Sequence, residues 1–111
     1  MSLETKSCTP CRGGIPPLTR DEADRLLGQA PGWTLTENAT RLERRFTLPD
    51  YAAALALVEK VSAIAEAEGH HPDIAFGWGY CQIVWWTHKI KGLHENDFIM
   101  AAKTNAVAGS Q

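Results

Sequence analysis

Residues 49–88 read PDYAAALALVEKVSAIAEAEGHHPDIAFGWGYCQIVWWTH, and this stretch decides the fold. Pro49-Asp50 opens a helix that runs to about Glu68. Tyr51, Leu55, Leu57, Val58, Val61, Ile64 and Ala65 fall on one broad side of it, with Glu59, Lys60 and Ala63 opposite. Gly69 ends the helix, and Pro72 drives His71 out of the helical region. Asp73 to Phe76 is then a strand, Gly77-Trp78-Gly79 a turn, and Tyr80 to Thr87 a second strand. In that strand Cys81, Ile83, Trp85 and Thr87 share one face, and Tyr80, Gln82, Val84, Trp86 and His88 the other.

Upstream, Thr19-Arg-Asp-Glu22 is a capping box that starts a helix running to about Gln29, where Pro31-Gly32 stops it. Trp33 to Thr36 and Thr40 to Leu48 are strands, with Glu37-Asn-Ala39 as the turn of a hairpin. Downstream, Gly92 breaks the chain. A last helix then runs from His94 or Glu95 to Val107, with Phe98, Ala101, Ala102 and Asn105 on one side. The order α-β-β-α-β-β-α predicts an α+β domain: a four-stranded, mainly antiparallel sheet with helices packed on one face. The other face is left for a ligand or a partner subunit. Residues 18–111 are expected to form this single domain. Residues 1–17, rich in Pro and Gly, are expected to be an extended or flexible leader.

The net charge of -2 gives no general attraction for nucleic acid or an anionic membrane. No apolar run is long enough to span a bilayer, and the first residues lack the apolar core of a signal peptide, so the cytoplasm is the expected compartment. Three Cys in a reducing compartment are expected to be free thiols. Cys8-x-x-Cys11 has no second pair to complete a zinc site, and we assign it no chemical role.

The chemistry concentrates in the second half. His70 and His71 stand at the helix–strand junction, His88 closes the hairpin, and Glu66 and Asp97 flank the set. Imidazoles titrate nearest to neutral pH and suit proton transfer. A solvated helix end would also favour His70 and His71, through the helix dipole. Asp97 in the first turn of the last helix would be favourable there for the same reason. The spacing matches none of the strong metal signatures, so no metal is expected. Trp85 and Trp86 are consecutive and must face opposite sides of the sheet, one in the core and one on the open face.

The ordered combination Glu66-x-x-x-His70-His71-Pro72, Thr87-His88 and Gly92-Leu93-x-x-x-Asp97 closely resembles the pterin-4a-carbinolamine dehydratases. The resemblance reaches back through Trp33 to Leu18-Thr19, and the leader resembles that of bacterial-type members. It implies the α+β architecture above, assembly as homodimers or dimers of dimers, and no metal or organic cofactor. It implies removal of water from 4a-hydroxytetrahydropterin to give quinonoid dihydropterin, which recycles the cofactor of aromatic amino acid hydroxylases. On the same basis His70, His71 and His88 carry acid–base catalysis. Glu66 orients an imidazole or bonds the pterin, and Asp97 orients His88. Trp33 and Pro72 help wall the pocket, while the backbone of Thr87, His88, Lys89 and Ile90 bonds the ring.

Two departures stand out. His94 replaces the usual Ser or Thr cap, which leaves the capping box incomplete, and Trp86 is bulkier than usual for the open face. Animal members of the family also act as dimerisation cofactors of a transcription factor, so a protein-binding role is the alternative. Action on another pterin-like ligand is a further one.

Overall fold

The computed structural model describes residues 3–9 and 13–109. Its elements follow the expected order: α1 (Arg20–Leu27), β1 (Thr34–Thr36), β2 (Arg41–Thr47), α2 (Tyr51–Glu68), β3 (Asp73–Gly77), β4 (Tyr80–Trp85) and α3 (Glu95–Ala108). The sheet runs β1-β2-β4-β3 with every neighbouring pair antiparallel. The second hairpin therefore docks through β4 onto β2 and leaves β3 at the edge. The register sets Phe46 opposite Cys81, and Ile74 opposite Ile83. Leu42, Phe46, Cys81, Ile83 and Trp85 are thereby buried under α2 and α3. Burial of such side chains is worth roughly 1.5–3 kcal/mol each.

Local signals fix the helix ends. Thr19 and Glu22 form the capping box of α1, and the Asp50 carboxylate accepts from the Ala53 N–H at the start of α2. Gly69 closes α2 in the left-handed region (φ 64°), which suits a residue without Cβ. No helix among the described residues is long and apolar enough to cross a membrane.

Four expectations need correction. α1 stops at Leu27, with Gly28 as its cap, rather than at Gln29. In α2 the buried stripe is Ala54, Leu57, Val61 and Ala65, while Tyr51 and Leu55 are 48% and 40% exposed. Tyr51 lies at the margin of the sheet, its ring 5.6 Å from that of Phe76 in the edge strand. β4 ends at Trp85 because Thr87 turns to pair with Gly92 in an isolated bridge, and His88–Ile90 wind into a 3-10 turn. His88 is therefore off the strand.

Finally, α3 is not a one-sided helix: nine of its fourteen residues are buried. The leader covers its outer side. Leu3–Thr5 form a 3-10 turn against α3, with Leu3 buried. Cys8 is a half-buried free thiol and Cys81 a buried one. Cys11, the second residue of the Cys8-x-x-Cys11 pair, lies outside the described residues.

Candidate active site

Two chain reversals build the site. The Gly69 cap at the end of α2 projects His70 and His71, with the His70 N–H bonded back to the Ala65 carbonyl (3.2 Å). The Thr87–Gly92 loop after β4 presents His88 and Lys89. Gly69, His70, His71, Thr87, His88 and Lys89 line one open cleft of about 340 Å³. The three imidazoles named from sequence thus converge.

Each has a different partner. His70 is nearly buried, and its Nε2 lies 2.6 Å from Oδ1 of the fully buried Asp97. Its ring stacks on Trp85, with centroids 5.8 Å apart and planes 10° apart. The second Asp97 oxygen accepts from Thr87 Oγ1 (2.8 Å) and from the His94 N–H (3.0 Å). A buried carboxylate needs such donors. With Asp97 ionised, His70 carries its proton on Nε2. Asp97 therefore holds His70, not His88 as the family resemblance suggested.

His71 pairs through Nε2 with Glu66 Oε2 (2.5 Å), and both side chains are largely exposed. Water screens this pair, so its value is orientation more than stability. His71 and Glu66 also line a neighbouring apolar pocket of about 320 Å³, with Ser62, Ala65, Pro72 and Ile74. Among the described residues, no carboxylate is paired with His88. His88 stacks on Trp86 with centroids 3.9 Å apart and planes 26° apart. Trp86 is fixed in turn by its Nε1–H, which donates to Asp73 Oδ2 (2.9 Å), and by the Arg41 guanidinium, 4.1 Å from the ring centroid.

Other expectations fare differently. Trp33 lies away from the cleft. It is buried, donates from Nε1 to Asn105 Oδ1 (2.8 Å) and packs edge-on against Phe46. Asn105 is eight residues beyond Asp97, about 12 Å along the helix axis. Ile90 does not line the cleft, whereas Pro72 lines the apolar pocket beside it. The capping box of α3 is complete after all: His94 Nδ1 accepts from the Asn96 N–H (3.0 Å), and Asp97 bonds back to the His94 N–H. Imidazole can replace a hydroxyl here because a neutral ring offers one acceptor nitrogen. The structure adds the support given by Trp86 to His88, and by the Thr87 hydroxyl to Asp97. The adjacency of Trp86, Thr87 and His88 was the only signal available for them. Among the described residues, no three His, Cys, Asp or Glu converge as a metal site would require.

Comparison with known proteins adds the chemical context. The sequence model of the family described as "Pterin 4 alpha carbinolamine dehydratase" matches residues 16–107. A protein of Azoarcus sp. (strain BH72), provisionally named a pterin-4-alpha-carbinolamine dehydratase, is 60% identical over 96% of this chain and 92% of its own. The crystal structure of a "transcriptional coactivator/pterin dehydratase" from Brucella melitensis superposes with a TM-score of 0.79 and 29% identity. That match covers 84% of this chain and 99% of the other. A pterin dehydratase-like protein described as a RuBisCO assembly factor in the alpha-carboxysome gives a TM-score of 0.61 and 30% identity, covering 72% of this chain and 93% of its own.

Proposed function

Since the chain belongs to the pterin 4 alpha carbinolamine dehydratase family, we propose that its histidine cleft dehydrates 4a-hydroxytetrahydropterin to quinonoid dihydropterin. The observation that carries this reading is the meeting of His70, His71 and His88 around one cleft, of a size that suits a small heterocycle. In the reaction the N5–H proton goes to a base, the N5 electron pair forms C4a=N5, and the C4a–O bond breaks. The departing oxygen takes a proton and leaves as water. His70 is the base in this scheme. Its Nε2–H is committed to Asp97, so Nδ1 is the nitrogen left to accept, and Asp97 stabilises the imidazolium that forms. His71 and His88, on the more exposed rim, supply the proton to the 4a oxygen. Glu66 orients His71, and Lys89 and the Thr87–Ile90 backbone hold the pterin.

In this proposal the site belongs to the domain 18–111, and the protein acts in the cytoplasm, within tetrahydrobiopterin recycling, self-associated as a homodimer or dimer of dimers. Self-association is supported by Tyr51 and Leu55, which α2 exposes. Sedimentation of Leu55→Glu, compared with wild type, tests that part. The catalytic part is tested by stopped-flow dehydration of synthetic carbinolamine with wild type, His70→Ala and His71→Ala. Wild-type rates equal to the uncatalysed rate contradict it.

A further inference from the structure

We propose that the N-terminal leader is a strap that positions the His70–Asp97 pair, with Glu68 and Asn96 as its anchor residues. The proposal builds on the role just given to that pair. Two adjacent leader residues bond to both sides of the pair. The Cys8 N–H donates to Glu68 Oε1 (2.7 Å), two residues before His70. The Thr9 N–H donates to Asn96 Oδ1 (3.0 Å), and Asn96 Nδ2 donates back to the Thr9 carbonyl (2.7 Å), one residue before Asp97.

Asn96 is only 2% exposed. A buried amide has to be satisfied, and both ends of this one are spent on the leader backbone. Further contacts fix the leader on either side. Leu3 is buried, Lys103 Nζ donates to the Glu4 carbonyl (2.9 Å), and Lys6 Nζ lies 3.1 Å from Glu95 Oε2. At the other end the Leu18 N–H donates to the Leu93 carbonyl (2.8 Å), and Pro17 packs where a Cβ on Gly92 would stand. The described leader residues thus touch the end of α2 and the start of α3 through residues 3–9, and the loop that carries His88 through Pro17. Catalytic geometry tolerates errors of only about 0.5 Å, and the His70–Asp97 bond joins two separate helix ends. A tie across both ends keeps that distance.

Cys8 reports on docking. Its half-buried thiol is pushed up to about 12, chiefly by burial, with the Glu68 and Asp97 charges adding. Alkylation needs the thiolate, so a docked strap reacts slowly and a released one faster.

The test uses the full chain in a Cys11→Ser background, with Glu68→Ala, Glu68→Gln and Asn96→Ala. Three quantities are followed: iodoacetamide labelling of Cys8, the NMR resonance of the His70 Nε2–H, and steady-state dehydration. Glu68→Ala and Asn96→Ala should speed labelling and shift or broaden the resonance. They should also lower kcat about 10- to 100-fold with KM little changed. Glu68→Gln keeps an acceptor for the Cys8 N–H and should retain the wild-type resonance and kcat. Faster labelling with an unchanged resonance and kcat overturns the proposal, as does unchanged labelling in both alanine variants. The resonance needs no substrate. A wild-type protein inactive on carbinolamine would count against the function proposed above and leave the resonance to decide the strap.

Discussion

His70 Nε2 sits 2.6 Å from Asp97 Oδ1, while Thr87 Oγ1 and the His94 N–H occupy the other carboxylate oxygen. One buried carboxylate thereby joins the end of α2, the loop after β4 and the start of α3. It also fixes which ring nitrogen of His70 holds the proton. The arrangement resembles the logic of a catalytic triad, where a buried acid sets the tautomer of an imidazole base.

Asp97→Asn should therefore be much worse for catalysis than for folding. An amide in this place offers an N–H where Thr87, His94 and His70 all donate. We expect kcat to fall about 10²- to 10⁴-fold, with a stability loss of about 1–3 kcal/mol for the unpaired groups. Stopped-flow rates and urea unfolding separate the two effects. Thr87→Val removes one donor and leaves the charge, so it should cost about 1 kcal/mol and far less activity.

His88 depends on an aromatic face instead of a carboxylate. Trp86→Ala removes the surface on which it stacks. Such a contact is worth about 0.5–1.5 kcal/mol, so a kcat loss of up to about tenfold is expected. Trp86→Phe should recover most of it. Equal activity in wild type and Trp86→Ala would show that His88 needs no such support.

The cap of α3 is an imidazole in place of a hydroxyl. His94→Ala removes the acceptor for the Asn96 N–H and should cost about 1 kcal/mol. His94→Ser should restore it, and thermal unfolding of the two variants checks the pair.

A pH effect follows at α1. The Thr19 backbone N–H, above all, and then its hydroxyl hold Glu22 below its ordinary value of 4.5. A lowered carboxylate stabilises the fold above its unfolded pKa and loses that contribution as pH falls through the folded one. Amide protection in α1, with the intrinsic exchange rate divided out, should thus show an excess loss as pH drops below about 4.5. Glu22→Gln should flatten that excess.

The order of elements and the site's three imidazoles could be read from local signals. The Gly69–Pro72 break, the Tyr80–Trp85 alternation and the Thr19–Glu22 box all act within a few residues. What escaped depends on contacts distant in sequence. Nothing near Asp97 says that its partner lies at His70, 27 residues away, because that distance is set by how α2 and α3 pack. Trp33, expected at the pocket wall, is enclosed instead by Asn105 and Phe46, which lie 72 and 13 residues away in sequence. The burial of α3 on its outer side was hidden for the same reason: the residues that cover it belong to a leader whose composition reads as loop.

The central claim is that these imidazoles expel water from a 4a-hydroxytetrahydropterin. The most direct measurement is stopped-flow absorbance of synthetic 4a-carbinolamine mixed with wild type and with His70→Ala. Wild type should accelerate dehydration well beyond the uncatalysed rate, and His70→Ala should lose about 10²- to 10⁴-fold of that acceleration. A wild-type rate indistinguishable from buffer, or a His70→Ala protein as fast as wild type, would contradict it.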